Sequence, residues 1–116
     1  MIKRFKQGNR ASMGVAYGPF FDSAGHVAED TSAGVAGQTK QILDQIDALL
    51  VEANLTKNDL TQVQIWLANI KDFDEMNVVY DKWVADSEKP VRACVESRLA
   101  DPRMLVEIQV FGYREQ

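Results

Sequence analysis

Apolar and polar residues alternate with period two near both ends of the chain, and fall into helical spacing in between. Ile2-Lys3-Arg4-Phe5-Lys6 mixes apolar and basic residues as a half-buried edge strand would, and Gly8-Asn9 closes it. Met13–Tyr17 and Phe20–Asp22 predict a strand pair about the turn signal Gly18-Pro19. Ser23–Val27 stays extended, and Gly25 there permits a close approach to the backbone. The period then changes behind the cap candidates Thr31 and Ser32. Val35, Ile42, Leu43, Ile46, Leu49, Leu50 and Ala53 share one helical stripe, and Asn54 is a reasonable stop.

Thr56–Asp59 reads as a polar loop. Val63, Ile65 and Leu67 alternate with Gln62, Gln64 and Trp66, which predicts a strand from about Leu60 to Ala68. Asp72 with Glu75 resembles a capping box, opening a helix that presents Phe73, Met76, Tyr80, Trp83 and Val84 and ends near Ser87. Beyond the breaker at Pro90, two strands follow, joined at Leu99-Ala100-Asp101-Pro102. The order predicts an α+β fold: one domain over residues 1–116, its two helices packed on one face of a mixed sheet. Two strand–helix–strand crossovers imply some parallel pairing. The other sheet face needs cover; subunit association supplies it most simply, with Trp66 as apolar cargo.

Composition narrows the function classes. At 116 residues the chain can bury one real core. A net charge of −4 argues against nucleic acid and anionic membrane as partners. Lys3, Arg4, Lys6 and Arg10 crowd the first ten residues and read as a solvated strand face and loop. Cys94 is the only cysteine, so no internal disulfide exists. No signal-peptide pattern and no transmembrane-length apolar run stands in the sequence, which predicts a cytoplasmic protein without a membrane partner. His26 is the single histidine, and without a Cys/His cluster neither a metal site nor a cofactor is expected.

Pro90–Val110 carries the candidate chemistry. Arg92, Cys94 and Glu96 share one face of its first strand, while Glu107 and Gln109 oppose Val106, Ile108 and Val110 in its second. If the two strands close as a hairpin over Leu99–Pro102, Cys94 lies opposite Glu107 and Arg92 opposite Gln109. Arg92, Cys94 and Glu107 are then neighbours on one face. A guanidinium fork binds a carboxylate bidentately, and a nearby carboxylate can hold water or move a proton. An Arg–Glu ion pair tying the strands together fits the same spacing. His26 reads as a surface or hydrogen-bonded residue, and Tyr80, Trp66 and Trp83 read as packing.

PVRACVESRL with the later LVEI resembles the C-terminal signature of the RidA (YjgF) family of 2-iminobutanoate/2-iminopropanoate deaminases. Ala24-Gly25, Gln38, Lys71-Asp72-Phe73 and Met76-Asn77-Val78-Val79-Tyr80 extend the likeness, which runs from about Met13 onward. WLANIKDFDEMNVVYDKWV and RACVESRL are most similar to the shorter YoaB-like branch. The resemblance implies a chorismate-mutase-like fold and a homotrimer with clefts between subunits. It implies hydrolytic deamination of reactive 2-imino acids, or of their enamines, to 2-oxo acids and ammonia. Arg92 would bind the substrate carboxylate, Glu107 would position the attacking water, Cys94 would line the cleft, Gly25 would offer backbone contacts to the substrate, and Asn77 matches a helix position near the cleft. The family's Gly-Pro-Tyr stretch has no counterpart, and Tyr17 is not a match for its tyrosine. Ala24 stands where many members have Ser and His26 where many have Gln, and the loop before Pro90 is short. These departures bear on substrate choice rather than on fold. The alternatives are a non-catalytic trimer binding small carboxylates, a ribonuclease or translation inhibitor, and a chorismate-mutase-like activity. The acidic charge counts against the ribonuclease, and a single Arg on the proposed face against the mutase.

Overall fold

A computed structural model describes residues 1–115 of the chain. Six strands and two helices follow one another as β1 (Ile2–Phe5), β2 (Gly14–Tyr17), β3 (Phe20–Ser23), α1 (Val35–Glu52), β4 (Leu60–Leu67), α2 (Phe73–Val84), β5 (Val91–Glu96) and β6 (Val106–Tyr113). The strands form one mixed sheet in the order β1-β2-β3-β6-β4-β5. Only β4 and β5, joined through α2, pair in parallel. The remaining neighbours are antiparallel.

The core follows from the two periodicities. Ile42, Leu43, Ile46, Leu49 and Leu50 of α1 and Met76, Tyr80, Trp83 and Val84 of α2 are buried against Val63, Ile65, Leu67, Val106, Ile108 and Val110 of the sheet. Each such aliphatic side chain contributes about 1.5–3 kcal/mol by leaving water. A one-residue slip of β6 would expose three of them and bury Glu107 and Gln109 instead, so burial fixes the register. The Trp83 indole N–H donates to Asp47 Oδ1 at 2.8 Å and locks α2 to α1. The far sheet face carries Gln64, Trp66, Glu107, Gln109 and Phe111, all half-buried and covered by neither helix.

The ends of the elements depart from the expected caps. Gly34, not Thr31 or Ser32, is the N-cap of α1, and it offers no side-chain acceptor. The Ser32 hydroxyl is already committed to Asp30 at 2.6 Å. Asp72 caps nothing with its side chain; the turn Ile70–Asp72 precedes α2, and Asn69 caps that turn by accepting the Lys71 N–H. The reciprocal capping box lies instead at Thr56 and Asp59, around a short 3-10 turn where a loop was expected. Asn54 does stop α1, in the left-handed region at φ 62°, and the Leu55 N–H closes back on the Leu50 carbonyl.

The expected hairpin is absent. β4 lies between β5 and β6, pairing Ile65 with Cys94 on one side and with Ile108 on the other. The crossover through α2 returns β5 alongside β4, in parallel. The segment from Ser97 to Leu105 then spans the intervening strand, twice the inter-strand spacing of about 4.8 Å. Gln38 stitches that segment to the helices. Its buried amide donates to the Ala33 and Arg103 carbonyls, both at 3.0 Å, and accepts the Leu105 N–H at 2.9 Å. Gln38→Leu orphans these buried groups and is expected to cost roughly 2–4 kcal/mol of stability. Urea unfolding should show a lower midpoint at an unchanged slope.

Candidate functional site

The sheet order separates the residues that the hairpin register brought together. Arg92 pairs with Val63 and Cys94 with Ile65, so both project on the helix-covered face. Glu107 pairs with Trp66 and projects on the opposite face. Arg92, Cys94 and Glu107 are therefore not neighbours within one chain. Among the described residues neither Arg92 nor Glu107 joins an ion pair. The strand-tying pair that spacing alone permitted is not formed.

Arg92 lies at the sheet edge against α2. Its Nη1 donates to Asn77 Oδ1 at 2.6 Å. Its Cζ lies 4.8 Å from the centre of the Tyr80 ring and 5.6 Å from that of Phe73. Phe73, Asn77 and Tyr80 occupy positions i, i+4 and i+7 of α2, one stripe of the helix. The sequence reading treated Tyr80 as packing; its spacing from Asn77 was the signal for a second role. The Glu96 carboxylate at the far end of β5 accepts the Ile70 N–H at 3.0 Å, fixing the turn that leads into α2. The Asn77 side-chain oxygen is thus committed to the Arg92 guanidinium. Cys94 is half-buried and packs against the core. Burial pushes its thiol pKa up and Arg92 draws it only partly back, so the neutral thiol prevails at physiological pH.

Glu107 has a different seat. The strand after β3 bends so that His26 bridges Ile108, donating its N–H to the Ile108 carbonyl at 2.8 Å and accepting the Ile108 N–H at 3.0 Å. That bridge lays Gly25 against the Glu107 side chain. A Cβ at Gly25 would overlap Glu107 Oε2 and sit 2.9 Å from Cδ. The close approach foreseen at Gly25 is thus made by Glu107 itself. Desolvation raises the Glu107 pKa from its ordinary value. His26 is 3% exposed, with Nδ1 donating to the Ala24 carbonyl at 2.9 Å. Burial lowers its pKa, so it serves as a neutral strut. Elsewhere on the open face Tyr17, Phe20 and Tyr113 form an aromatic cluster, with centroids 5.7 and 5.3 Å apart in sequence. The described residues include no group of three or more His, Cys, Asp or Glu placed to hold a metal ion. No helix among them is long and apolar enough to cross a membrane.

The family model described as Endoribonuclease L-PSP matches residues 1–113. A RutC family protein of Haemophilus ducreyi is 39% identical over 110 residues, covering 95% of this chain and 94% of that relative. The RutC family protein YoaB of Escherichia coli is 37% identical over 84 residues, covering 72% of this chain and 74% of its own. The crystal structure of a YjgF family member from Neisseria meningitidis superimposes with a TM-score of 0.92 at 36% identity, covering 100% of this chain and 97% of that one. The family model spans nearly the whole chain and the fold agrees with a solved member, so the chain belongs to the RidA/YjgF family, whose model carries the description Endoribonuclease L-PSP.

Proposed function

We propose that the protein hydrolyses reactive 2-imino acids to 2-oxo acids and ammonia, in clefts between the subunits of a homotrimer. One observation carries this reading: a guanidinium without a carboxylate partner among the described residues and a desolvated carboxylate stand on opposite faces of one sheet. A single chain cannot close both on a small ligand. Association that lays the open face of one subunit against the β5 edge of the next would bring Glu107 to a neighbour's Arg92. The uncovered Trp66, Phe111, Tyr17, Phe20 and Tyr113 favour such association.

The chemistry asks little of the protein. The substrate carboxylate docks on the Arg92 fork, which fixes the imine carbon. Glu107, ionised and poorly solvated, takes a proton from a water as its oxygen bonds to that carbon. The C=N π pair moves onto nitrogen, which receives the proton that Glu107 took, giving a neutral carbinolamine. Glu107 then takes the carbinolamine hydroxyl proton as the nitrogen gains one more proton by way of water, so that C=O re-forms, the C–N bond breaks and ammonia leaves. An enamine substrate first tautomerises to the imine. Cys94 takes no part as a nucleophile; it lines the Arg92 side.

The test is subunit mixing. Arg92→Ala and Glu107→Gln proteins should each be strongly impaired in an ammonia-release assay on a freshly generated 2-imino acid at low concentration. After joint unfolding and refolding, hybrids contain some clefts with both native residues, and part of the activity should return. Hybrids as impaired as their parents would overturn the composite cleft.

A further inference from the structure

We infer that Tyr80, flanked by Phe73, is a positioning residue that holds the Arg92 guanidinium in place before a carboxylate arrives. The inference deepens the proposed function and rests on Arg92 being the carboxylate anchor. Arginine has many rotatable bonds, and docking its fork on an anion normally sacrifices that freedom. Here the freedom is already gone. Asn77 accepts one N–H of Nη1 at 2.6 Å, and the Tyr80 ring lies 4.8 Å from Cζ. The remaining N–H groups are left for a ligand.

Tyr80 is the fixed wall of this cradle and Phe73 the looser one. Tyr80 is buried and packs on Trp83, 5.9 Å between ring centres, and Trp83 is tied through its N–H to Asp47 of α1. Contacts therefore run unbroken from Asp47 through Trp83 and Tyr80 to the guanidinium. Phe73, at the start of α2, is partly exposed and lies farther away at 5.6 Å. Attraction between cation and ring face also strengthens as water is excluded, which ranks the two in the same order. Preorganisation of this kind appears as affinity, because the bound geometry costs less to reach.

Binding of 2-oxobutanoate, measured by calorimetry on the assembled protein, tests the inference. Tyr80→Met keeps approximate volume without a ring, and should weaken binding roughly 3- to 30-fold. Tyr80→Phe restores the ring face and should recover most of that loss. KM for the imine should rise in parallel while kcat changes less, since the anchor acts on ground and transition states alike. A purely structural Tyr80 would lower the melting temperature and leave the affinity of the folded protein alone. If Tyr80→Met does not fold, Phe73→Leu at the exposed wall decides, with a loss of roughly 2- to 5-fold expected. Wild-type affinity in whichever folded variant is measured would overturn the positioning role, with the anchor intact as long as Arg92→Ala has lost binding. Binding by Arg92→Ala as tight as wild type would instead remove the anchor itself, and the inference with it.

Discussion

Arg92→Ala should lower kcat/KM for 2-imino acid hydrolysis by roughly 30- to 5,000-fold, the equivalent of about 2–5 kcal/mol for a lost charge-assisted anchor. Most of the loss belongs in KM and in the placement of the imine carbon, because the guanidinium touches the carboxylate rather than the reacting bond. The fold should survive. Arg92 sits on the edge strand and has no ion-pair partner among the described residues, so its removal strands no buried opposite charge. Only Asn77 Oδ1 loses a donor, and the edge position gives water access to it. Steady-state ammonia release, with circular dichroism as the folding control, checks both halves. Turnover at the wild-type rate would remove Arg92 from the mechanism and the deaminase reading with it.

Glu107→Gln removes the proposed base and should reduce kcat by roughly 10²- to 10⁴-fold. The substitution is nearly isosteric, so the contact with Gly25 and the β6 register persist. The pH profile of the wild type provides a second readout. Glu107 works only when ionised, and burial raises its pKa. Activity should therefore fall on acidification through a midpoint above that of an ordinary carboxylate, and Glu107→Gln should flatten this limb. Gly25→Ala attacks the same group from the other side, since a methyl there displaces the carboxylate without changing its charge. A limb unmoved in the Gln variant would assign it to another group.

The two sheet faces were legible in the sequence because burial leaves a periodic trace. Glu107 turned away from the core, as its charge required, and the apolar stripe from Val35 to Ala53 marked the body of α1, though not its N-cap. Strand neighbours leave no such trace. Alternation in β5 and β6 states what each face is made of and is silent about which strand lies alongside. The nearest strands in sequence were paired, while the crossover through α2 places β4 between them. Arg92 consequently faces α2, and its contacts with Asn77 and Tyr80 became visible only with the helix in place. The caps failed for a local reason: Ser32 is held by Asp30, and a 3-10 turn displaces Asp72 from the role that Asn69 takes. Family resemblance nominated Arg92, Glu107, Cys94, Gly25 and Asn77; the fold divides them into a guanidinium group and a carboxylate group.

β5 ends the sheet, and this has a consequence for the life of the unassembled chain. The opposite edge, β1, is short and guarded by Lys3 and Arg4. β5 shows open backbone groups with Val91 70% exposed, and no lysine interrupts it. Its two charges, Arg92 and Glu96, turn to the helix side, and the exposed Val91 and Val95 leave an edge that invites pairing with an extended strand. A newly made chain thus bears its aggregation hazard on the strand that carries the proposed anchor Arg92. Capping that edge with a neighbouring subunit would silence the hazard and complete the catalyst in the same event, so selection for solubility and selection for activity would act on one surface.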